Sequence, residues 1–181
     1  MAELMTKTRI PGEAPQTANV LRVCFVCTGN TCRSPMAEAI TNASVGDEPE
    51  KERDSVGGQT HTRRVTAKSR GLFASDGEPI SANAVRALEL AGIRPGEGTD
   101  YHSHTARTLR AEELNEFDWL IAMSDRHAME LLLRFPEAAP KIVCMPVPIA
   151  DPWGGDLSCY RECLAAITEG VKQLLFTEES I

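Results

Sequence analysis

An apolar run, Leu21–Val26, passes directly into the loop Cys27–Pro35 and then into a good helix start, and this order constrains the fold more than any other feature. The loop reads CTGNTCRSP. Gly29 and Asn30 suit the left-handed backbone angles of a tight loop. Pro35 suits the first turn of a helix, where no intrahelical N–H is lost. The pattern predicts a strand, a tight loop and a helix, with successive backbone N–H groups turned inward.

The same loop has the chemistry of a phosphate site. Inward N–H groups form a nest for an anion, and the helix N-terminus adds unpaired donors and the positive end of its dipole. Arg33 can present a planar fork to two oxygens of a tetrahedral oxyanion, and Ser34 can donate a hydrogen bond to Cys27. A Cys27 thiolate stabilised in this way is a nucleophile aimed at phosphorus. The competing interpretation, a buried strand-end cysteine and a surface arginine, leaves the Gly-Asn and Ser-Pro pairs unexplained.

Read as CTGNTCRSPMAE, the residues from Cys27 to Glu38 resemble the low-molecular-weight protein tyrosine phosphatase family. The resemblance implies a phosphocysteine mechanism, no metal or other cofactor, a small cytosolic domain and a phosphorylated protein as substrate. It places the nucleophile at Cys27 and the phosphate-binding arginine at Arg33. The other phosphate-binding residues that it implies are Thr28, Gly29, Asn30, Thr31, Cys32 and Ser34.

The family also requires an Asp-Pro pair far downstream as general acid, and this chain has one such pair, Asp151-Pro152. A carboxylic acid there can protonate the leaving atom, and its carboxylate can then activate water. An isolated Asp-Pro is usually a turn, but this one lies between a predicted strand and the last helix, as in the family. Trp153 is expected at the pocket rim, unless it anchors a partly buried loop. Gly154 and Gly155 are expected to keep the rim open.

Two further positions match the family. Ser103–Arg107 resembles its Ser-His-x-Ala-Arg segment, which implies that His104 supports the loop from behind through a hydrogen bond to Asn30. Ser69 matches a serine of the same network, although Arg70 stands where the family usually has alanine. The competing interpretation of His104 is an exposed loop histidine.

Charge and hydropathy narrow the functional class. With 19 basic and 26 acidic residues the net charge is −7, which argues against nucleic acid and anionic membranes as partners. No apolar run approaches the ~18 residues of a membrane helix, and the first twenty residues lack a signal-peptide core. We expect a cytoplasmic monomer, with Met1–Asn19 as a flexible tail and residues 20–181 as a single phosphatase domain.

The six cysteines do not indicate a disulfide framework or a metal site. Cys24 and Cys27 form a CxxC pair, but odd spacing in a strand places them on opposite faces, and no second ligand pair is present. Cys159 and Cys163, one helical turn apart, are expected to pack. The family carries a cysteine at the position of Cys32, so oxidised Cys27 could be trapped as a Cys27–Cys32 disulfide.

Four apolar, β-rich runs alternate with helical patterns, which predicts an α/β fold with a parallel sheet and helices on both faces. The family implies the strand order 2-1-3-4, with the phosphate-binding loop after strand 1. The predicted strands are Leu21–Val26, Val65–Lys68, Trp119–Met123 and Lys141–Val147. The predicted helices are Pro35–Ser44, Ala82–Ala91, Ala111–Phe117, Arg126–Phe135 and Leu157–Phe176, the last with Asp156 as N-cap. Charged and Gly-containing residues from Ser44 to Arg64 predict a mobile surface loop or a frayed helix.

Thr31 is the position that bears most on substrate choice. Tyrosine-specific relatives usually carry a bulky aliphatic there, whereas a bacterial branch that removes phosphate from arginine carries threonine. A hydroxyl in the pocket wall can orient the attacking water and makes the wall less apolar for an aromatic ring. The Asp-Pro-Trp-Gly-Gly run also resembles the arginine branch, while the segment around His104 resembles the tyrosine branch. We therefore favour phosphoarginine over phosphotyrosine as the substrate. The alternative is that Thr31 is a neutral replacement for the aliphatic residue of a tyrosine phosphatase.

Two other functions remain open at this point. Arsenate reductases use a similar loop but need a further cysteine pair on a mobile segment, and only Cys144, Cys159 and Cys163 remain here. The other alternative is a non-catalytic phosphate-binding module. The presence of both Cys27 and Asp151 argues against it, because a protein that only binds phosphate needs no reactive thiol.

Overall fold

The computed structural model describes residues 20–46, 64–95 and 100–176. Within these ranges four strands form one parallel sheet in the order β2-β1-β3-β4, which confirms the expected topology. The strands are β1 (Val20–Cys27), β2 (Arg64–Gly71), β3 (Trp119–Ala122) and β4 (Ile142–Cys144). Val26 of β1 lies opposite Arg70 on one side and Ala122 on the other, so the carboxyl ends of three strands meet at one edge.

Four α-helices and three short 3₁₀ helices connect and cover the described strands. The side chain of Asp156 accepts a hydrogen bond from the Cys159 N–H, which confirms it as the N-cap of the last helix. The α-helices are α1 (Arg33–Gly46), α2 (Ala82–Leu90), α3 (Asp125–Arg134) and α4 (Leu157–Val171), and α4 continues as a π-helical turn over Lys172–Phe176. The 3₁₀ helices are Tyr101–Ser103, Ala111–Glu116 and Pro136–Lys141.

The sheet is buried on both faces because successive side chains of a strand point in opposite directions. Val23, Phe25 and Cys27 of β1 pack into a core with residues of α1, α2 and α4. Cys24 and Val26 pack into a second core on the other face, with residues of α3 and the 3₁₀ helix Ala111–Glu116. Helices on both faces, and Cys24 and Cys27 on opposite faces, are thus confirmed. Burying each large apolar side chain contributes about 1.5–3 kcal/mol, so the loop after β1 is anchored on a rigid base.

Three predicted elements were wrong in extent or type. The second strand spans Arg64–Gly71 and not Val65–Lys68, so Ser69 and Arg70 lie within it. The fourth strand spans Ile142–Cys144 and not Lys141–Val147, because Lys141 belongs to a 3₁₀ helix and Pro146 has no N–H to offer a ladder. Residues 111–116 form a 3₁₀ helix and not an α-helix, because Phe117 already has an extended backbone.

The predicted tail Met1–Asn19 lies outside the described residues, as does most of the segment from Ser44 to Arg64. At the ends of that segment, α1 continues to Gly46 and β2 begins at Arg64. No helix of the described part of the chain is both long and apolar enough to span a membrane.

Candidate active site

The loop between β1 and α1 is fixed by backbone donors from neighbouring segments. Leu72 N–H donates to the Cys27 carbonyl at 2.9 Å, Phe73 N–H to the Thr28 carbonyl at 2.9 Å, and Ser81 N–H to the Thr31 carbonyl at 2.8 Å. Each bond ties one part of the loop to β2 or to the start of α2. The loop therefore has a defined shape set by the fold around it.

Only Asn30 has the left-handed backbone angle expected of this loop, with φ of 57°. The prediction that Gly29 shares it was wrong, since Gly29 is not among the described glycines with positive φ. Asparagine tolerates this region better than most residues, and here its side chain is used as well.

Asn30 is fully buried, and every one of its polar groups is paired. Its Nδ2 donates to Ser34 Oγ at 3.0 Å and to Ser69 Oγ at 2.9 Å, and its Oδ1 accepts from the Arg107 N–H at 2.9 Å. Its carbonyl contacts His104 Nε2 at 2.9 Å, and because a carbonyl only accepts, Nε2 of His104 carries the proton. The contacts of Ser69 and His104 with Asn30 match the predicted network, although His104 binds the main chain of Asn30 and not its side chain.

Cys27, the predicted nucleophile, is buried and lies 2.9 Å from Ser34 Oγ. The Asn30 N–H also points to its Sγ, at 3.3 Å. Ser34 Oγ accepts a hydrogen bond from Asn30, and its own hydrogen has two acceptors within reach, Cys27 Sγ at 2.9 Å and the Arg70 carbonyl at 3.4 Å. The contact with the sulfur is the shorter one, which is the arrangement expected for stabilising a thiolate. Sγ is therefore surrounded by donors.

Glu38 extends this network and was missed by sequence reasoning. Ser69 Oγ donates to Glu38 Oε2 at 2.5 Å, at the far end of the chain of contacts that begins at Cys27. Burial raises the pKa of Glu38, while the hydrogen bond from Ser69 and the nearby His104 act in the opposite direction. Its position four residues after Ser34 on the same helix was the available signal.

The two predicted charged groups meet across 118 residues of sequence. Arg33 Nη2 donates to Asp151 Oδ2 at 2.7 Å, with the Arg33 side chain 9% exposed and that of Asp151 53% exposed. The Trp153 N–H donates to the other oxygen, Oδ1, at 3.2 Å and so fixes the carboxylate relative to its loop. Burial of only one partner leaves Asp151 at the mouth of the loop that holds Cys27.

The loop after Asp151 differs in part from expectation. Trp153 is 77% exposed, so it is not a buried anchor. Gly154 has φ of 77°, which favours glycine. Gly155 does not keep the rim open: a Cβ there would lie 2.9 Å from Cys159 Cβ, so this glycine is required for close packing on α4.

Known proteins were compared with the chain at the level of sequence and structure. A sequence model described as low molecular weight phosphotyrosine protein phosphatase matches residues 22–181. The chain belongs to this family. It is accordingly a hydrolase of the low-molecular-weight phosphatase type, whose substrates are phosphorylated proteins.

Individual relatives of the phosphatase carry two kinds of name. A protein-arginine-phosphatase of Geobacillus stearothermophilus is 32% identical over 168 residues, which are 87% of this chain and 98% of that protein. The low molecular weight protein-tyrosine-phosphatase PtpB of Staphylococcus haemolyticus is 30% identical over 147 residues, 78% of this chain and 88% of that protein. Among solved structures, a low molecular weight protein tyrosine phosphatase from T. tengcongensis superposes with a TM-score of 0.69 at 34% identity, over 84% of this chain and 96% of that one.

Two further residues of this phosphatase contact the loop and were not predicted. Phe73 is 60% exposed, its N–H binds the Thr28 carbonyl of the loop, and the guanidinium of Arg134 stacks on its ring at 3.9 Å. Tyr160 is buried beneath the loop, and its hydroxyl lies 3.3 Å from Cys32 Sγ and 2.9 Å from Ser81 Oγ. A Cys27–Cys32 disulfide stays a prediction, as both cysteines are free in this structure.

His127 is the third unpredicted residue at the loop of the phosphatase. It is buried, and its Nε2 lies 2.9 Å from Thr28 Oγ1. Burial, and then the Arg33 cation, lower the pKa of His127 to about 4, with Asp151 acting in the opposite direction. Because β3 is the neighbour of β1, residues just after β3 reach the loop after β1, and this topology was the available signal.

The remaining thiols of the phosphatase do not form the additional pair that arsenate reduction requires. Burial raises the pKa of Cys144 and of Cys163 to about 12, so both stay protonated at neutral pH. Cys159 is exposed, but it lies on α4 with Cys163 and not on a separate segment. In the described ranges no cluster of three or more His, Cys, Asp or Glu side chains could hold a metal ion.

Proposed function

We propose that residues 20–181 hydrolyse phosphoarginine side chains of proteins through a phosphocysteine at Cys27. The thiolate of Cys27 attacks phosphorus, the P–N bond breaks, and Asp151 gives its proton to the leaving guanidine. The Asp151 carboxylate then takes a proton from water, the water oxygen attacks phosphorus, and the S–P bond breaks. Inorganic phosphate leaves, and both residues return to their starting states.

The contact between Arg33 and Asp151 is the observation that carries this proposal. It brings a fixed cation and a half-exposed carboxylate to the loop that holds Cys27. A phosphoryl group bound by the Arg33 fork would replace Asp151 on the guanidinium. The carboxylate would then be free at the mouth of the loop, on the side from which the leaving group departs. Ser34 supports the sulfur when it leaves as a thiolate in the second step.

Thr31 supports the choice of phosphoarginine. Among the described residues its hydroxyl contacts only the Cys32 thiol, at 3.6 Å, so it is available to orient a water or a guanidine N–H. The hydroxyl lies close to the loop backbone, 3.8 Å from the place where a Cβ on Gly29 would be. Two relatives named protein-arginine-phosphatase, from Geobacillus stearothermophilus and Bacillus subtilis, are 32% and 28% identical to this chain.

Phosphotyrosine is the second candidate, and the rim favours it. Phe73 and Trp153 are both strongly exposed, and exposed aromatic side chains can stack on a phenol ring. The relative named PtpB is 30% identical. Phosphoarginine and phosphotyrosine differ in the leaving atom and in the shape of the side chain, so direct competition between them decides the matter.

The experiment compares kcat/KM for two peptides of one sequence that carry either phosphoarginine or phosphotyrosine. Wild type is expected to prefer phosphoarginine, and Thr31→Ile to lower that preference by about 10-fold. Thr31→Ser keeps the hydroxyl and should retain the preference. Thr66→Ile, at an exposed position of β2, controls for the general effect of an added isoleucine. A wild-type preference for phosphotyrosine that Thr31→Ile leaves unchanged would contradict the substrate assignment.

A further inference from the structure

His127 has no part in the mechanism above, yet it is the only described histidine whose two ring nitrogens are both hydrogen-bonded within the protein. Nε2 lies 2.9 Å from Thr28 Oγ1, and Nδ1 lies 2.7 Å from Ser124 Oγ, at the N-cap of α3. The side chain is 4% exposed. A buried polar ring with two partners, one of them in the phosphate-binding loop, is a built contact between α3 and that loop.

The distances indicate which nitrogen carries the proton. Hydrogen bonds donated by hydroxyl groups are typically shorter than those donated by N–H groups, about 2.7–2.8 Å against about 2.9–3.0 Å. The 2.7 Å contact fits Ser124 donating its hydroxyl to Nδ1, and the 2.9 Å contact fits Nε2–H donating to Thr28. Ser124 Oγ also accepts the His127 backbone N–H at 3.4 Å, which leaves its own hydrogen for Nδ1. The low pKa of His127 keeps the ring neutral at pH 7, with one N–H.

Thr28 then has a hydroxyl hydrogen that none of the described residues accepts. Its main chain is already fixed, because its carbonyl accepts the Phe73 N–H at 2.9 Å. Its Oγ1 accepts from His127, and Thr28 is exposed at the mouth of the loop, directly after Cys27. The Thr28 hydroxyl can still rotate about its Cβ–Oγ1 bond. Because His127 Nε2–H donates to one lone pair of Oγ1, this rotation is restricted, and so is the direction of the hydroxyl hydrogen.

We propose that His127 is a positioning residue, which holds the Thr28 hydroxyl as a hydrogen-bond donor to an oxygen of the phosphoryl group in the loop. The proposal rests on the proposed function to the extent that the loop binds a phosphoryl group. It adds to the backbone N–H groups and Arg33 one side-chain donor that is set from the end of β3. Phosphate binding and kcat/KM should depend on His127 only through Thr28.

A double-mutant cycle separates this role from a merely structural one. The four proteins are wild type, Thr28→Val, His127→Leu and the double variant, and His127→Gln is added because its amide nitrogen can replace Nε2–H. The readouts are kcat and KM for p-nitrophenyl phosphate and the dissociation constant of inorganic phosphate by titration calorimetry. Thermal melting of each variant reports on folding.

We expect Thr28→Val and His127→Leu each to weaken phosphate binding by about 10-fold, as for the loss of one hydrogen bond to a charged group. The double variant should be no weaker than Thr28→Val alone, and His127→Gln should recover most of the loss. If His127→Leu weakens binding equally in the Thr28→Val background, the proposal is overturned. It is also overturned if His127→Gln is as weak as His127→Leu at equal melting temperature. Should His127→Leu not fold, His127→Asn takes its place in the cycle, because its shorter side chain keeps an amide near Ser124 but cannot reach Thr28.

The two readouts also keep this proposal apart from the proposed function. Loss of coupling in phosphate binding, in an enzyme that hydrolyses p-nitrophenyl phosphate, overturns only the role of His127. Coupled phosphate binding in a wild-type protein that hydrolyses no phosphate ester or phosphoarginine peptide overturns only the proposed reaction.

Discussion

The ion pair between Arg70 and Glu113 gives a prediction that can be worked out from its geometry. Arg70 Nε donates to Glu113 Oε1 at 3.0 Å and Nη2 donates to the same oxygen at 2.6 Å, while Nη1 donates to the Ser69 carbonyl at 2.9 Å. The Arg70 side chain is 9% exposed and that of Glu113 is 21% exposed. Burial raises the pKa of Glu113, but the hydrogen bonds and the positive charge of Arg70 outweigh this effect and hold the pKa below its usual value. The pair connects β2 with the 3₁₀ helix Ala111–Glu116.

Glu113→Gln should destabilise the protein by about 3 kcal/mol, because it leaves the buried Arg70 guanidinium without a counter-charge. Arg70→Ala should cost less, about 2 kcal/mol, since Glu113 is exposed enough to be solvated by water. The double variant should cost less than the sum of the two single changes, because it leaves no unpaired buried charge. The free energy of unfolding is measured by urea denaturation at pH 7.

A second ion pair between the same two elements is the matched control. Lys68 Nζ lies 3.6 Å from Glu116 Oε2, and both side chains are more than half exposed. Glu116→Gln should therefore change the free energy of unfolding by only about 0.3 kcal/mol. The reasoning is refuted if Glu113→Gln costs no more than Glu116→Gln, or if the two changes at Arg70 and Glu113 are additive.

Three further predictions follow from other contacts. In the unfolded chain the pKa of His127 is its ordinary value of 6.5, whereas in the native protein burial lowers this pKa to about 4. The free energy of unfolding should therefore fall by about 3 kcal/mol as pH drops through this range, and by clearly less in His127→Gln, measured by urea denaturation at both limits. Asp151→Asn should slow phosphoarginine hydrolysis by about 100-fold or more but p-nitrophenyl phosphate much less, and equal effects in rapid-quench kinetics would remove Asp151 from proton transfer. Gly71→Ala would place a Cβ 2.7 Å from the Thr28 carbonyl oxygen and 2.8 Å from Ala74 Cβ, so it should lower kcat/KM and cost about 1–3 kcal/mol by thermal or urea melting; unchanged values would contradict the close approach.

The apolar runs of the sequence predicted a parallel sheet, and the resemblance to the family supplied its strand order and the candidate charged residues of the site. Alternating apolar runs and turn residues are local signals, and the loop from Cys27 to Ser34 carries its chemistry within eight residues. Asp151 was singled out because the family that the loop resembles requires a downstream Asp-Pro pair, and the one such pair in the sequence lies between a predicted strand and a predicted helix.

The residues that the sequence did not predict make contacts with partners that are distant in sequence. Glu38 lies four residues after Ser34, but its partner Ser69 belongs to the neighbouring strand β2, and His127 reaches the loop because β3 lies beside β1. Both contacts depend on how segments distant in sequence pack together. The stretch 111–116 has the composition of an α-helix, but its Glu113 is bound to Arg70 and to the Arg110 N–H, and tertiary contacts override such a weak preference. Gly155 was expected to keep the pocket rim open, yet a Cβ there would collide with Cys159 of α4, a close approach that only the structure reveals.

The proposed reaction passes through a phosphate bound to the sulfur of Cys27. The direct test mixes wild-type protein with excess p-nitrophenyl phosphate, denatures it during turnover and locates the phosphate by mass spectrometry of its peptides. We expect phosphate to be found on the Cys27 sulfur of the wild-type protein, and we expect no turnover by Cys27→Ala. Turnover that persists in Cys27→Ala, or phosphate that accumulates on another residue while Cys27 stays unmodified, would contradict it.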